Sequence, residues 1–200
     1  MINRTLRAFS FIFLIVFLVG INEAFAQESA NHLVISQVCF NNNQVNKSWI
    51  EVYNPTDNIL VLEKLRISNL KTVNVLPESI QKEGGISIGA GEYVVICADE
   101  NSFISSYGSE VKSVGINALS HLSLGGFIAV TTKKSGEAKG AVVRYGKKEM
   151  SSKITELAGD QVVDFSEEGK SFIRKVVKTQ TGITVSDFSE SIAEPGKSNN

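Results

Sequence analysis

Short β-branched and aromatic runs, each stopped by turn formers, recur from His32 to Val177, and no stretch keeps a helical period long enough to compete with them. His32 to Phe40 is the first run, followed by Asn41-Asn42-Asn43. Trp49 to Tyr53 is the second and stops at Asn54-Pro55, where proline removes a ladder donor. Ile59 to Ile67 reads as one strand with apolar residues on both faces. Gly84-Gly85 opens Ile86 to Ile88, the turn Gly89-Ala90-Gly91 follows, and Tyr93 to Ala98 is a continuous apolar strand. Phe127 to Thr132 and Ala138 to Tyr145 flank Lys133-Lys134-Ser135-Gly136, a hairpin connection with glycine at its end. Gln161 to Phe165 and Ser171 to Val177 complete roughly nine strands, an all-β pattern that suits a sandwich or a barrel. One short helix or turn is expected around Phe103 to Tyr107. Lys147 to Asp160 is polar, a loop or short helix.

Ahead of these runs, Arg4 and Arg7 precede an apolar stretch from Phe9 to Val19, and Ala24-Phe25-Ala26 stands before Gln27. That is the pattern of a cleavable export signal cut after Ala26. The stretch is too short for the roughly 20 residues of a membrane-spanning helix. The sequence therefore predicts a signal peptide over 1–26, one domain over 27–186 and an extended tail over 187–200. It also predicts a periplasmic, envelope-associated or secreted destination, with no membrane span after cleavage. Losing two arginines and one glutamate from 20 basic and 21 acidic residues leaves 18 and 20, a net charge of −2. That balance argues against nucleic-acid or membrane-surface binding, which draws on a basic excess.

Both cysteines, Cys39 and Cys97, stay in the exported chain, so the sequence leaves two readings open: one disulfide, or two buried thiols inside apolar strands. Trp49, the only tryptophan, suits a buried aromatic; its alternative is a sugar-stacking platform with Tyr53 or Tyr93. Glu51 points away from Ile50 and Val52. It is either on a solvated face or a buried partner of Arg174. Gly91 and Gly136 are expected to shape turns. Lys133, Lys134, Lys139, Arg144, Lys147 and Lys148, with Lys153, oppose only Glu137 and Glu149. This basic segment is a solvated face or a contact for a polyanion.

His32 and His121 have no ligand-spaced companions, and neither Asp57-Asn58 nor Asp99-Glu100-Asn101 has the rhythm of a calcium loop. Ser120 beside His121 would face opposite ways in a strand, which makes no nucleophile and base. No metal, cofactor or catalytic group is expected.

The stretch Trp49-Ile50-Glu51-Val52-Tyr53-Asn54-Pro55 resembles the W-I-E-L-Y-N-P signature of bacterial lamin-tail domains. It follows a strand of the His32 to Val38 kind, as in that family. Gly85 to Ala98, Leu122 to Val130 with Gly136, Ser171 to Arg174, and Asp187-Phe188 with Pro195-Gly196 are similar to later segments of the family in the same order. Gln37 stands where glutamate is common, and Lys147 to Asp160 has no counterpart. The resemblance spans most of Leu33 to Asn199. It implies an immunoglobulin-like β-sandwich acting as a non-catalytic attachment module for an envelope protein or surface polymer. The alternative is a carbohydrate- or polyanion-binding module using exposed aromatics and the basic segment.

Overall fold

The computed structural model describes residues 32–41, 43–68, 73–74, 76–122, 125–131, 141–146, 161–179 and 182–197. The chain is mostly β-strand in several sheets, with few helices. Its strands are β1 (Val34–Cys39), β2 (Trp49–Tyr53), β3 (Leu60–Leu62), β4 (Lys64–Ser68), β5 (Val73–Asn74), β6 (Ile86–Ile88), β7 (Tyr93–Cys97) and β8 (Ser113–Gly115). They continue with β9 (Gly125–Thr131), β10 (Val142–Gly146), β11 (Val162–Val163), β12 (Lys170–Ile173), β13 (Val176–Thr179), β14 (Gly182–Val185) and β15 (Ser189–Ile192). Two α-helices, α1 (Glu78–Lys82) and α2 (Glu100–Tyr107), and 3-10 turns at Val45–Lys47 and Asn117–His121 complete the described elements.

A six-stranded sheet runs β15-β12-β1-β2-β7-β8, and a five-stranded sheet runs β11-β10-β9-β4-β5. β3 pairs with β6, and β13 with β14, as separate ribbons. The period-2 pattern explains how the large sheets meet. Ile35, Val38, Ile50, Val52, Val94 and Ile96 leave one face of the first sheet and join Leu65, Ile128, Val130, Val143 and Tyr145 of the second in one apolar cluster. Fully burying each such side chain contributes about 1.5–3 kcal/mol, so this shared cluster is the main cohesive element.

The run Ile59 to Ile67 is not one strand. Leu60–Leu62 pairs with β6, and after Glu63 the chain crosses to pair Lys64–Ser68 with β9. Its apolar crowding comes from two short strands in different sheets. Gly85, at φ +102°, allows this arrangement, because a Cβ there would lie 2.5 Å from the Leu62 carbonyl oxygen. Ser171 to Val177 also divides. β12 stays in the six-stranded sheet, while β13 leaves it to pair with β14 alone.

The opposite face of the six-stranded sheet is not solvated. Cys39, Trp49, Val95, Cys97 and Phe103 form a second apolar cluster there, flanked by Tyr107, Val111 and Ala193. Glu51 lies on this face and is fully buried. A bulge between Ile35 and Gln37 turns Ser36 toward it, and Ser36 Oγ donates to Glu51 Oε1 at 2.6 Å. Gly196 N donates to Glu51 Oε2 at 2.6 Å. The tail is therefore part of the fold: β15 extends the sheet, Pro195 is buried, and Gly196 rests against Val111.

Arg174 is not the partner of Glu51. It leaves the end of β12 with its guanidinium 3.6 Å from the centre of the Phe188 ring, and its backbone N–H donates to the Ser36 carbonyl. Burial pulls its pKa down to about 10, against the opposing attraction of Asp187. The expected leader over 1–26, Gly136 and the hairpin connection around it, and the 147–160 segment lie outside the described residues.

Glu51→Gln puts an amide where Ser36 and Gly196 both present donors. Removing one acceptor from a buried polar set costs about 1–3 kcal/mol. Urea unfolding of the variant should show a lower midpoint at an unchanged slope; an unaltered midpoint would mean the carboxylate contributes no net stability.

Candidate functional site

A concavity among the described residues is built over Trp49. Cys39 and Cys97 sit directly opposite Trp49 on the strands to either side of it, so all three side chains leave the same face. Trp49, 1% exposed, meets Phe103 and Tyr107 edge to face, with centroids 6.1 and 5.7 Å away. Both partners come from α2. Asp99 caps that helix by accepting from Ser102 N at 2.6 Å, and these Ser102 contacts hold the Asp99 carboxyl below its ordinary pKa. The oxygen-rich Asp99-Glu100 pair is thus spent on structure, since Glu100 accepts from Ser113 Oγ at 3.2 Å.

A second wall comes from the loop before β2. Asn41 Oδ1 accepts from the N–H groups of Asn43 and Gln44, an Asx turn that carries the chain into the 3-10 turn at Val45–Lys47. Asn46 Nδ2 then reaches Ser102 Oγ at 3.4 Å, and Lys47 Nζ lies 3.6 Å from Glu168 Oε1. Between this loop, α2 and the Glu168–Gly169 turn is a pocket of about 220 Å³. Its floor is aromatic and thiol-lined; its rim is mostly neutral amides and hydroxyls, with one ion pair.

Cys39 and Cys97 are free, which corrects the reading that they bridge. β2 stands between β1 and β7, so the two cysteines are two strand spacings apart, about 9.6 Å. Disulfides need Cα atoms within about 7 Å. Burial pushes the Cys39 thiol up to about 11 and the Cys97 thiol to about 12; for Cys97 the Glu100 and Asp99 carboxylates add to the rise. Burial likewise raises the Tyr107 hydroxyl, with Cys39 adding and the Trp49 indole N–H opposing. These groups stay protonated near neutral pH. They offer neither thiolate nucleophile nor base.

The other sequence candidates fall elsewhere. Tyr53 and Tyr93 face each other across β2 and β7 and stack on one another at 4.5 Å, away from the Trp49 pocket. Trp49 is too deeply buried to join them as an exposed platform. Arg144 is 4% exposed within β10, so it is no part of an exposed basic surface. Lys133, Lys134, Lys139, Lys147 and Lys148 lie outside the described residues. Gly91, at φ +71°, donates to the Asn54 carbonyl in the turn before β7. His32 is buried; His121 is exposed in a 3-10 turn rather than a strand, and Ser120 Oγ donates to Asn117 O at 2.6 Å. Among the described residues, no three His, Cys, Asp or Glu side chains group as metal ligands, and no helix is long and apolar enough to cross a membrane.

The rim residues Asn46, Lys47, Ser102, Ser106 and Glu168 carried no sequence signal. They come from three separate loops and helices, and their residue types are those of any solvated surface. Of the local geometry that assembles them, only the turn formers at Asn41-Asn42-Asn43 stood out in the sequence.

Two outcomes follow for the floor. A thiol reagent should find two free thiols after unfolding without reductant, and almost none in the native chain at pH 8; fewer than two after unfolding would restore the bridge. The folded thiol pKa values lie above the ordinary 9.0. Their contribution is therefore fully present below pH 9 and is lost as pH rises toward 11–12. Stability should fall across that window less steeply in Cys39→Ala/Cys97→Ala than in the parent; equal slopes would contradict the assignment. Separately, Phe103→Ala should cost about 3–5 kcal/mol and red-shift Trp49 emission.

Comparison with protein-family models, with curated proteins and with solved structures returns no match to this chain.

Proposed function

We propose that this chain is an exported, non-catalytic binding module of the cell envelope, built as an immunoglobulin-like sandwich of the lamin-tail type. Its role is attachment to an envelope protein or surface polymer. The sandwich reading is supported by the apolar cluster that the five- and six-stranded sheets share. Export is supported by the leader pattern over residues 1–26.

One observation carries the functional reading. The pocket over Trp49 has an aromatic floor and a hydrogen-bonding rim, while the thiols within it are held protonated by burial. Catalytic sites draw on titratable groups whose pKa values are driven toward the working pH. Here burial drives them away from it. A cavity of that composition suits recognition. A rigid sheet floor with loop-built walls also presents its contacts without large ordering costs.

The polyanion alternative loses Arg144 to the interior of the five-stranded sheet. No described residue favours it over the pocket.

The purified chain should be retained saturably by a native envelope fraction. Retention that disappears when the fraction is protease-treated assigns the partner to a protein, and retention that persists assigns it to a surface polymer. No saturable retention by either fraction would contradict the proposal.

A further inference from the structure

The pocket over Trp49 has a chemistry narrower than binding in general, and its ligand class rests on the binding-module reading above. Three observations restrict the occupant. First, the rim is neutral as a whole. Asn46, Ser102 and Ser106 offer amide and hydroxyl groups that both donate and accept, and Lys47 is matched by Glu168 at 3.6 Å across the mouth. A ligand with net charge would have to compete with that pair.

Second, the floor calls for a ligand that is apolar on one side and polar elsewhere. Trp49 and Phe103 are almost fully buried, and Tyr107 is half-buried with its ring on the pocket wall. The indole N–H of Trp49 is buried against the Tyr107 hydroxyl. The amides and hydroxyls of the rim favour an oxygen-bearing occupant over a hydrocarbon, which would leave them without partners on desolvation.

Third, the volume is small. About 220 Å³ falls below the roughly 300–1,000 Å³ of drug-sized sites. It accommodates one ring, with the chain beyond it left outside the mouth.

We propose that this pocket binds a single neutral sugar ring, seated with its C–H face on the half-buried Tyr107 ring and its hydroxyls toward Asn46, Ser102 and Ser106. The surface polymer the module recognises is then a glycan, read through one residue at a time. Affinity for a free monosaccharide is correspondingly weak, with a dissociation constant on the order of 1 mM.

Trp49 is the only tryptophan, so its emission reports on the pocket floor. The full purified chain is titrated with glucose, galactose and N-acetylglucosamine, and with glucuronic acid and glucosamine as charged counterparts. Calorimetry runs in parallel to register binding that leaves emission unchanged. The expected result is saturable binding of at least one neutral sugar, about tenfold tighter than its charged counterparts. Ser106→Phe fills the mouth from an exposed helical position, and Asn46→Ala removes a rim amide. Each should weaken binding about tenfold or more while leaving the circular dichroism spectrum unchanged.

Tighter binding of a charged sugar, or neutral-sugar binding indifferent to both variants, would overturn the proposal. So would the absence of binding by both methods up to about 50 mM. If sugars fail while the parent and Ser106→Phe are still retained equally by envelope, the ligand assignment falls and the binding-module reading stands. If retention fails as well, both fall.

Discussion

A carboxylate taken wholly out of water sets the terms for the rest of this molecule. Glu51 sits on the face of the six-stranded sheet that alternation turns away from the main core, where a charged side chain would ordinarily meet solvent. Burying it is costly unless its oxygens are satisfied. The satisfaction comes from two distant places: a bulge that rotates Ser36 toward it, and the backbone N–H of Gly196. Holding Gly196 there brings the C-terminal segment across the sheet, so Ala193 closes on the Trp49 cluster and Pro195 is buried. A sheet with apolar layers on both faces follows, and with it the floor on which the Trp49 pocket stands.

The second layer also explains the state of the thiols. Cys39 and Cys97 flank Trp49 at matched register and are sealed by α2, so desolvation dominates their chemistry. They behave as small apolar packing groups, kept from pairing by the strand between them. What remains accessible is the rim above them. That rim sets neutral hydrogen-bonding groups over an aromatic floor, the composition on which the proposed recognition role rests.

Much of the strand pattern was legible because it rests on short apolar runs bounded by local turn formers. Trp49 to Tyr53 appears as a strand at those positions, and the continuous apolar run Tyr93 to Ala98 appears as a strand over Tyr93–Cys97. The runs Ile59 to Ile67 and Ser171 to Val177 were misread as single strands, because composition does not show where a chain crosses between sheets. β14 and β15 were missed: Ser189–Ile192 is exposed along its whole length, so it has no buried face to mark it. The partner of Glu51 could not be read at all, since Gly196 contributes a backbone N–H and lies 145 residues away. Arg174 offered itself by charge and was instead taken up by the Phe188 ring. The pocket was illegible for a related reason. Its chemistry depends on loops brought together by the fold, whereas the basic run that stood out in sequence places its one described member, Arg144, in the interior.

The measurement that bears most directly on the central claim is a nitrogen–proton correlation spectrum of the full chain during titration with neutral monosaccharides. A single tryptophan gives a single indole N–H signal, assigned without ambiguity to the pocket floor. Recognition at the Trp49 pocket predicts that this signal moves saturably, together with the side-chain amide of Asn46 and the backbone of α2. Saturable movement elsewhere on the chain, with the indole signal fixed, would place binding at another surface and contradict the account.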